Sequence, residues 1–372
     1  MHANHMDDEK YMAIALELAA RARGRTSPNP LVGAVVVKDG RIVGQGYHEK
    51  AGTPHAEVHA LREAGEQAMG ATIYVTLEPC SHYGRTPPCS EAVINAGVAR
   101  CVAAMVDPNP LVAGRGLDQI RQAGIEVSSG VLEEEAHRLN EVFIKYITTK
   151  EPFVVMKSAM TLDGKIATHT GHSRWVTGPE ARERVHRLRD EYDAIMVGVG
   201  TILADDPALT TRLTERGRDP VRIILDSQAR TPLTAKILNQ HSQAATIIAV
   251  TQQAPQQRVA ALEQAGAKVL TVPDMDGRVD IKRLMSIVGQ EGITGILLEG
   301  GGQVNGAALA AGIVDKVIWF IAPKLIGGQT APTPIGGPGA TTMDEALNLT
   351  RVKLEQLGPD IMIEGYIQTT SP

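Results

Sequence analysis

The sequence has few aromatic residues, few cysteines and little net charge. Aromatics make up 3% of the 372 residues, and the formal net charge is -5 with no block of lysine and arginine. Clustered cations and stacking aromatics bind nucleic acids, and clustered cations bind anionic membranes, so we expect neither partner. Three cysteines cannot form a disulfide framework, and no apolar run of about 18 residues exists to span a bilayer or serve as a signal peptide. A cytoplasmic protein with a small-molecule substrate is therefore expected.

The rest of the composition is that of a globular protein, with 43% apolar and 21% charged residues. A chain of this length can form two domains with separate cores. Valine-rich runs alternate with helical patterns in both halves, which predicts α/β folds. A helix is predicted over 133–147, and it should end before Pro152, because the residue before a proline disfavours helical geometry. We therefore predict domains at 7–150 and 151–370.

A group of metal-binding residue types lies in the first half. His55 in "TPHAEVHALREAG" precedes a predicted helix, Cys80 follows a predicted strand, and Cys89 opens another helix, so the three side chains could converge. A helix N-terminus lowers the pKa of a cysteine and favours the thiolate that a metal needs. One histidine and two cysteines would leave the fourth position of a zinc ion open to water, which indicates a catalytic rather than a structural site.

Glu57 lies two residues after His55, close enough to move protons at such a site without binding the metal. The arrangement matches the H-x-E … P-C … C pattern of zinc deaminases. A rival interpretation is the H-E-x-x-H pattern of zinc proteases, because His55 and His59 have the i, i+4 spacing. The acid is at the wrong position for that pattern, and the cysteines would have no role. We therefore favour a deaminase, with His59 either supporting the ligands or structural, and with Cys101 in the core.

Two glycine-rich turns follow buried strands in the second half, "VGVGT" at 197–201 and "LEGGGQVNGAALAAG" at 298–312. Glycines at a strand-to-helix turn let backbone N–H groups approach a phosphate, which suggests a dinucleotide. Neither stretch satisfies the G-x-G-x-x-G pattern, so a purely structural turn fits equally well.

Longer motifs carry a resemblance to a known family. The stretches "SPNPLVGAVVV", "PHAEVHAL" and "EPCSHYGRTPPC" resemble the deaminase half of the bifunctional deaminase/reductases of riboflavin biosynthesis. The stretches "KSAMTLDGKIA", "GTILADDPALTTR" and "LLEGGGQVNGAAL" resemble the reductase half, so the resemblance covers nearly the whole chain. It implies a cytidine-deaminase-like three-layer domain followed by a dihydrofolate-reductase-like domain, zinc and NADPH as cofactors, and a homodimer formed through the reductase sheet.

The resemblance also implies two consecutive reactions. The first is hydrolytic deamination of a diaminopyrimidinone attached to ribose 5-phosphate, and the second is NADPH-dependent reduction of the ribose to a ribityl chain. Zinc would be held by His55, Cys80 and Cys89, and Glu57 would be the proton donor. For Asn29, which lies between two prolines, a simple turn is nearly as compatible as a binding role. The polar residues suited to the pyrimidine substrate are Asn29, His48, His82 and Asn109, with Arg85 near the phosphate.

In the second half the resemblance assigns residues to NADPH and to the ribosyl substrate. Lys157 and Asp205 are candidates for proton transfer and orientation. Arg189 and Arg212 offer planar forks suited to a phosphate. The residues that would line the NADPH-binding site are Ala159, Trp175, Thr201, Asp205, Ser227, Gly301, Gly302, Gln303, Val304, Asn305, Gly306 and Ala307. The residues that would line the binding site of the ribosyl substrate are Ser173, Arg189, Leu209, Arg212 and Glu299.

The alternative function is a tRNA or nucleotide deaminase whose second half is a binding module without redox activity. Low basicity and few aromatics disfavour it. Nucleic-acid deaminases have the short spacing P-C-x-x-C. Here Cys80 is followed by the longer stretch "SHYGRTPPC", residues 81 to 89, which also disfavours the alternative.

Overall fold

The computed structural model describes residues 2–83, 87–109, 112–214 and 217–368 of the chain. It divides into two compact units, Met1–Lys150 and Glu151–Pro372. Both are α/β, as the sequence predicts. Every helix in the described residues is too short or too polar to cross a membrane.

The first unit contains six α-helices and five strands among its described residues. They are α1 His2–Ala20, β1 Gly33–Lys38, β2 Arg41–Tyr47, α2 Ala56–Ala64, β3 Thr72–Val75, α3 Cys89–Asn95, β4 Arg100–Ala103, α4 Arg115–Gln122, β5 Glu126–Ser129, α5 Glu133–Leu139 and α6 Glu141–Thr149.

The five strands form one sheet in the order β2-β1-β3-β4-β5. The β1–β2 hairpin turns at Asp39-Gly40, where both residues have positive φ, as a tight primed turn requires. Strand β1 pairs antiparallel with β2 and β3, and the β3, β4 and β5 strands run parallel. The carboxyl ends of β3 and β4 therefore lie at one edge of the sheet.

Helix α2 packs closely on β2 because two strand positions are glycine. A Cβ at Gly44 would lie 2.1 Å from the Ala60 carbonyl oxygen, and a Cβ at Gly46 would lie 2.4 Å from the His59 Cβ. Any side chain at either position would push the helix away from the sheet. These glycines thus fix the position of the helix that begins directly after His55.

The prediction of one helix over 133–147 is wrong. Two helices, α5 and α6, meet at Asn140, which is almost fully buried. Its side chain accepts the backbone N–H of Leu31 at 2.8 Å and donates to the Leu31 carbonyl at 3.0 Å. Satisfying the Leu31 peptide in this way outweighs continuing the helix, because a buried backbone group without a partner is costly.

The described residues of the second unit form eleven strands and five α-helices. They are β6 Phe153–Thr161, α7 Pro179–Glu191, β7 Ala194–Gly198, α8 Val199–Asp205, β8 Val221–Leu225, β9 Thr246–Val250, α9 Gln256–Gln264, β10 Lys268–Thr271, β11 Asp274–Met275, β12 Arg278–Val279, α10 Ile281–Gln290, β13 Gly295–Leu298, α11 Gly302–Ala310, β14 Lys316–Ala322, β15 Leu349–Leu357 and β16 Asp360–Ile367.

Nine of these strands form a sheet in the order β10-β9-β8-β7-β13-β6-β14-β16-β15. The strands from β10 to β14 run parallel, and β16 and β15 add an antiparallel hairpin. Successive residues of β7 point to opposite faces, so Met196 joins one apolar cluster and Ile195 and Val197 join the other. Both faces of the central strands are therefore covered, which explains their continuous apolar sequences.

Helix α11 rests on the segment that follows β14 with almost no side chain between them. A Cβ at Gly306 would lie 2.1 Å from the Gly336 carbonyl oxygen, and a Cβ at Gly302 would lie 2.6 Å from the Thr333 carbonyl oxygen. The Gly336 N–H donates to the Gly302 carbonyl at 2.8 Å. The glycines of the 298–312 stretch thus serve, in part, a close backbone contact.

Candidate active sites

The three predicted metal ligands come from three separate segments of the first unit. His55 precedes the first residue of α2, Cys80 follows β3, and Cys89 is the first residue of α3. Their ligand atoms all lie within 4.8 Å of one another. The structure therefore brings together the residues that the sequence placed far apart.

The distances within this cluster fit one tetrahedral ion. His55 Nδ1 lies 3.2 Å from Cys89 Sγ and 3.6 Å from Cys80 Sγ. Ligands at roughly 2.0 Å (nitrogen) and 2.3 Å (sulfur) from one zinc ion are separated by about 3.5 Å. His59, one helical turn beyond His55, is not a member of the cluster, which disfavours the protease pattern.

The electrostatics of the two thiols also fit a cation. Hydrogen bonds from the Cys89 thiol and from His55, against the effect of burial, lower the pKa of Cys80 to about 4. The Cys89 N–H adds a bond to Cys80 Sγ at 3.3 Å. The contact with Cys80 and burial raise the pKa of Cys89, because a second thiolate next to the first is repelled. A divalent cation would relieve that repulsion and let both sulfurs ionise.

Glu57 lies in the first turn of α2, beside this cluster, and is almost fully buried. Burial raises its pKa to about 7. Its Oε2 is buried and has no hydrogen-bond partner among the described residues. A buried carboxyl with an unsatisfied oxygen and a pKa near neutrality is suited to taking up and returning a proton.

Glu78 is a site residue that sequence reasoning missed. It is buried directly before Pro79, and its carboxylate accepts the backbone N–H groups of Asp107, Gly114, Gly116 and Leu117 at 2.8 to 3.3 Å. Four donors from one loop and the start of α4 fix that segment beside the residues that follow β3 and lead to Cys80. The available signal was a carboxylate at the end of a buried strand, where it could not stay unpaired.

The candidate residues for the pyrimidine substrate differ in burial and in their distance from the metal ligands. His48 is buried, with its ring edge-on to His55 at 5.3 Å between centroids, and its Nε2 lies 3.4 Å from Asn29 Nδ2. Asn109 lies in the loop that Glu78 holds, and its backbone N–H donates to Asp107 at 2.8 Å. His82 is exposed after Cys80. The prediction for Arg85 lies outside the described residues.

The second unit has a cavity of about 590 Å³ that gathers most of the predicted reductase residues. It is bounded by α7, the end of α8, β6 and the turn before α11. Its lining includes the predicted residues Lys157, Ala159, Ser173, Trp175, Arg189, Thr201, Asp205, Arg212, Glu299 and Gly301. Asp205 is exposed at the end of α8.

Glu299 is the charged centre of this cavity. Arg189 binds it with two guanidinium nitrogens at 2.6 and 2.9 Å, and the Lys157 ammonium binds it at 2.9 Å. Burial alone would raise the pKa of Glu299, but the charges of Arg189 and Lys157 hold it well below its usual range. The carboxylate is thus permanently ionised and orients both cations.

Other residues assigned to NADPH or the substrate lie outside the cavity lining. Leu209 is buried in the apolar cluster beneath α8. Asn305 is fully buried and donates to the Pro334 carbonyl at 2.8 Å. Ser227 Oγ accepts the backbone N–H of Val279 at 3.1 Å. In α11, Val304 contacts Gly198, Gln303 is exposed and Ala307 is half-buried, and Gly302 and Gly306 face the 333–336 segment.

Comparisons with known proteins agree with this geometry. Residues 5–105 match the family model of the cytidine and deoxycytidylate deaminase zinc-binding region, and residues 152–363 match the RibD C-terminal domain. The riboflavin biosynthesis protein RibD of Actinobacillus pleuropneumoniae is 49% identical over 97% of this chain and 96% of its own length.

Two solved structures are similar over the whole chain. A RibD structure from Acinetobacter baumannii has 39% sequence identity and a TM-score of 0.86, covering 98% of this chain and 100% of its own. The diaminohydroxyphosphoribosylaminopyrimidine deaminase/5-amino-6-(5-phosphoribosylamino)uracil reductase of Thermotoga maritima has 37% identity and a TM-score of 0.85, with the same coverage. Both of the units described above therefore have counterparts in single chains of known structure.

Proposed function

Because this chain belongs to the RibD family of riboflavin biosynthesis proteins, it is a bifunctional deaminase and reductase, and we propose which residues perform each reaction. Its cofactors are zinc and NADPH. We assign the deamination to residues 7–150 and the reduction to residues 151–370. The observation that carries the proposal is the convergence of His55, Cys80 and Cys89 beside the buried Glu57.

The deaminated substrate is the diaminopyrimidinone attached to ribose 5-phosphate, by analogy with the name of the Thermotoga maritima relative. His55, Cys80 and Cys89 would hold zinc, which when bound would supply water activated for attack on the amino-bearing ring carbon. Glu57 carries one proton of the water to the ring nitrogen and the second, from the hydroxyl group formed on the ring carbon, to the amino group, which leaves as ammonia. Its pKa of about 7 suits both directions of transfer. The ring exchanges an amino group for an oxygen.

The reductase step acts on the ribosyl carbon C1′. The ring-opened ribosylamine is an imine. Bound NADPH would supply the hydride for its C1′, and the nitrogen would gain one proton, which would leave a ribityl chain. Lys157 lines the cavity with its ammonium fixed by Glu299, which makes it the proposed proton donor. Asp205, at the cavity rim, orients the sugar hydroxyls.

We also propose a homodimer formed through the reductase sheet. Strand β15 is the edge strand of that sheet, and Leu349, Val352 and Leu354 on it are exposed, Leu354 by 70%. An exposed apolar edge strand is a surface that proteins normally cover. A reducing cytoplasmic location is proposed because Cys80 and Cys89 must stay reduced to bind a metal.

A chelator experiment tests whether deamination and reduction take place in separate units. The protein should release ammonia from the diamino substrate and oxidise NADPH when given the deaminated ribosylamine phosphate. Removing the metal should abolish ammonia release and leave NADPH oxidation intact, since the two sites share no residues. The alternative, a nucleotide or tRNA deaminase with a non-redox binding module, predicts no NADPH oxidation by folded, zinc-loaded protein.

A further inference from the structure

Helix α7 presents three polar side chains to the reductase cavity. Arg182, His186 and Arg189 follow one another at i, i+4 and i+7, a spacing that places them on one helix face, and all three line the cavity. Arg182 donates to the Thr177 carbonyl at 2.7 Å and stacks on the Trp175 ring. Arg189 is held by the ion pair with Glu299 described above. His186 is the member of the set whose role is unassigned.

A hydrogen bond to one ring nitrogen fixes the orientation of the His186 ring. Its Nδ1 accepts the backbone N–H of Arg212 at 3.2 Å. An imidazole that accepts at Nδ1 carries its hydrogen on Nε2. The Thr210 carbonyl also accepts from the ring, as the smallest of the effects on its pKa, and the ring lines the cavity. The cavity lining therefore includes a neutral imidazole of fixed orientation.

The charges around His186 keep the ring neutral. Burial, Arg189 and Arg212 lower the pKa of His186 to about 4, against smaller opposing effects of Glu299 and the Thr210 carbonyl. Lys157, Arg182 and Asp205 are the other charged groups of the same cavity. At neutral pH the imidazole thus adds a hydrogen-bond donor without adding a charge.

Among the arginines of the lining, Arg212 is the one whose backbone N–H binds the His186 ring. The charge of Arg189 is matched by Glu299. Arg212 is exposed, lines the cavity and forms no ion pair with the described residues. We propose that His186 is a specificity-determining residue of the reductase, whose Nε2–H donates to the phosphate of the ribosylamine phosphate beside the Arg212 guanidinium. The proposal rests on the reductase function proposed above.

Steady-state NADPH oxidation with two substrates tests the proposal. The substrates are the deaminated ribosylamine phosphate and the same compound without its phosphate. His186→Phe keeps a planar ring without a donor, and His186→Gln carries an N–H near the position of Nε2. His241→Phe, at an exposed position outside the cavity lining, is the control.

We expect His186→Phe to raise KM for the phosphorylated substrate by about 10- to 100-fold, the range for a hydrogen bond to a charged group, with kcat within about twofold of wild type. KM for the dephosphorylated substrate should not change, and His186→Gln should recover part of the loss. NADPH affinity, measured by fluorescence, reports folding. If the Phe variant does not bind NADPH, His186→Asn serves instead, because its amide can replace Nδ1 but does not reach the Nε2 position.

Two results would overturn the inference. One is an equal rise in KM for both substrates, which would indicate a role in cavity shape; the other is no rise for either. Failure of the reductase function itself looks different: wild-type protein would then oxidise no NADPH with the phosphorylated substrate.

Discussion

The carboxylate of Glu78 accepts the backbone N–H of Gly116 at 2.8 Å, which ties the segment between β3 and Cys80 to the start of α4. The contact is possible because residue 116 is glycine: a Cβ there would lie 1.9 Å from the Pro79 carbonyl oxygen. Since Glu78 also holds the backbone of the Asn109 loop, it should affect substrate binding without touching zinc.

Glu78→Gln should therefore raise KM for deamination and lower stability by about 1–3 kcal/mol, the cost of leaving buried donors unsatisfied, with zinc content unchanged. Ammonia-release kinetics, metal analysis and thermal unfolding check this. Glu63→Gln is the matched control, because Glu63 accepts one backbone N–H, from Gln45, at an exposed position. A variant with normal KM but less zinc would show that Glu78 supports the ligands instead.

Glu57→Gln should reduce ammonia release by at least about 100-fold, since the amide cannot accept the proton. Zinc should stay near one ion per chain, because Glu57 is not a ligand in this proposal. Glu66→Gln, exposed in the same unit, serves as the control. Loss of zinc from the Glu57 variant alone would instead make Glu57 a ligand.

Glu299→Gln should destabilise the second unit by about 3–5 kcal/mol, because it leaves Arg189 and Lys157 buried without a countercharge. Calorimetry should show a lower transition for the reductase unit and no change for the deaminase unit. Glu183→Gln breaks an exposed ion pair with Arg187 on α7 and should have almost no effect. Equal stability of both variants would contradict the assignment of Glu299 as the charged centre.

Stability should depend on pH through His186. Its pKa in the folded chain, about 4, lies below its ordinary value of 6.5. The unfolded chain therefore binds the proton first as pH falls through 6.5, and the folded state loses stability until about pH 4. Between pH 7 and 5 the wild type should lose more thermal stability than His186→Gln. A parallel decline of the two proteins would show that the folded imidazole is not kept neutral.

Leu354→Lys should reduce the mass measured by light scattering from dimer towards monomer, because it places a charge on the proposed β15 interface. Leu325→Lys alters a residue that is equally exposed, by 75%, but lies outside the strand, and should leave the mass unchanged. A wild-type protein that is monomeric at micromolar concentration would contradict the dimer.

The sequence predicted both α/β units and the spatial convergence of His55, Cys80 and Cys89, because each ligand lies at the end of a regular element with a clear pattern. It did not predict the break at Asn140 or the roles of Glu78 and His186. These depend on which buried backbone N–H group each side chain meets, at Leu31, Gly116 and Arg212, and such partners are 26 to 109 residues away in the chain. Local periodicity holds no information about them.

The close contact of α11 with the 333–336 segment also bears on how the reductase cavity can vary. One wall of that cavity is the turn at Gly300 and Gly301, directly before α11. Since main-chain atoms on both sides set the helix position, substitutions elsewhere in the lining can alter chemistry while the width of the cavity stays constant. Substitutions in the lining can then change which ligand binds while the backbone contact between α11 and the 333–336 segment stays the same.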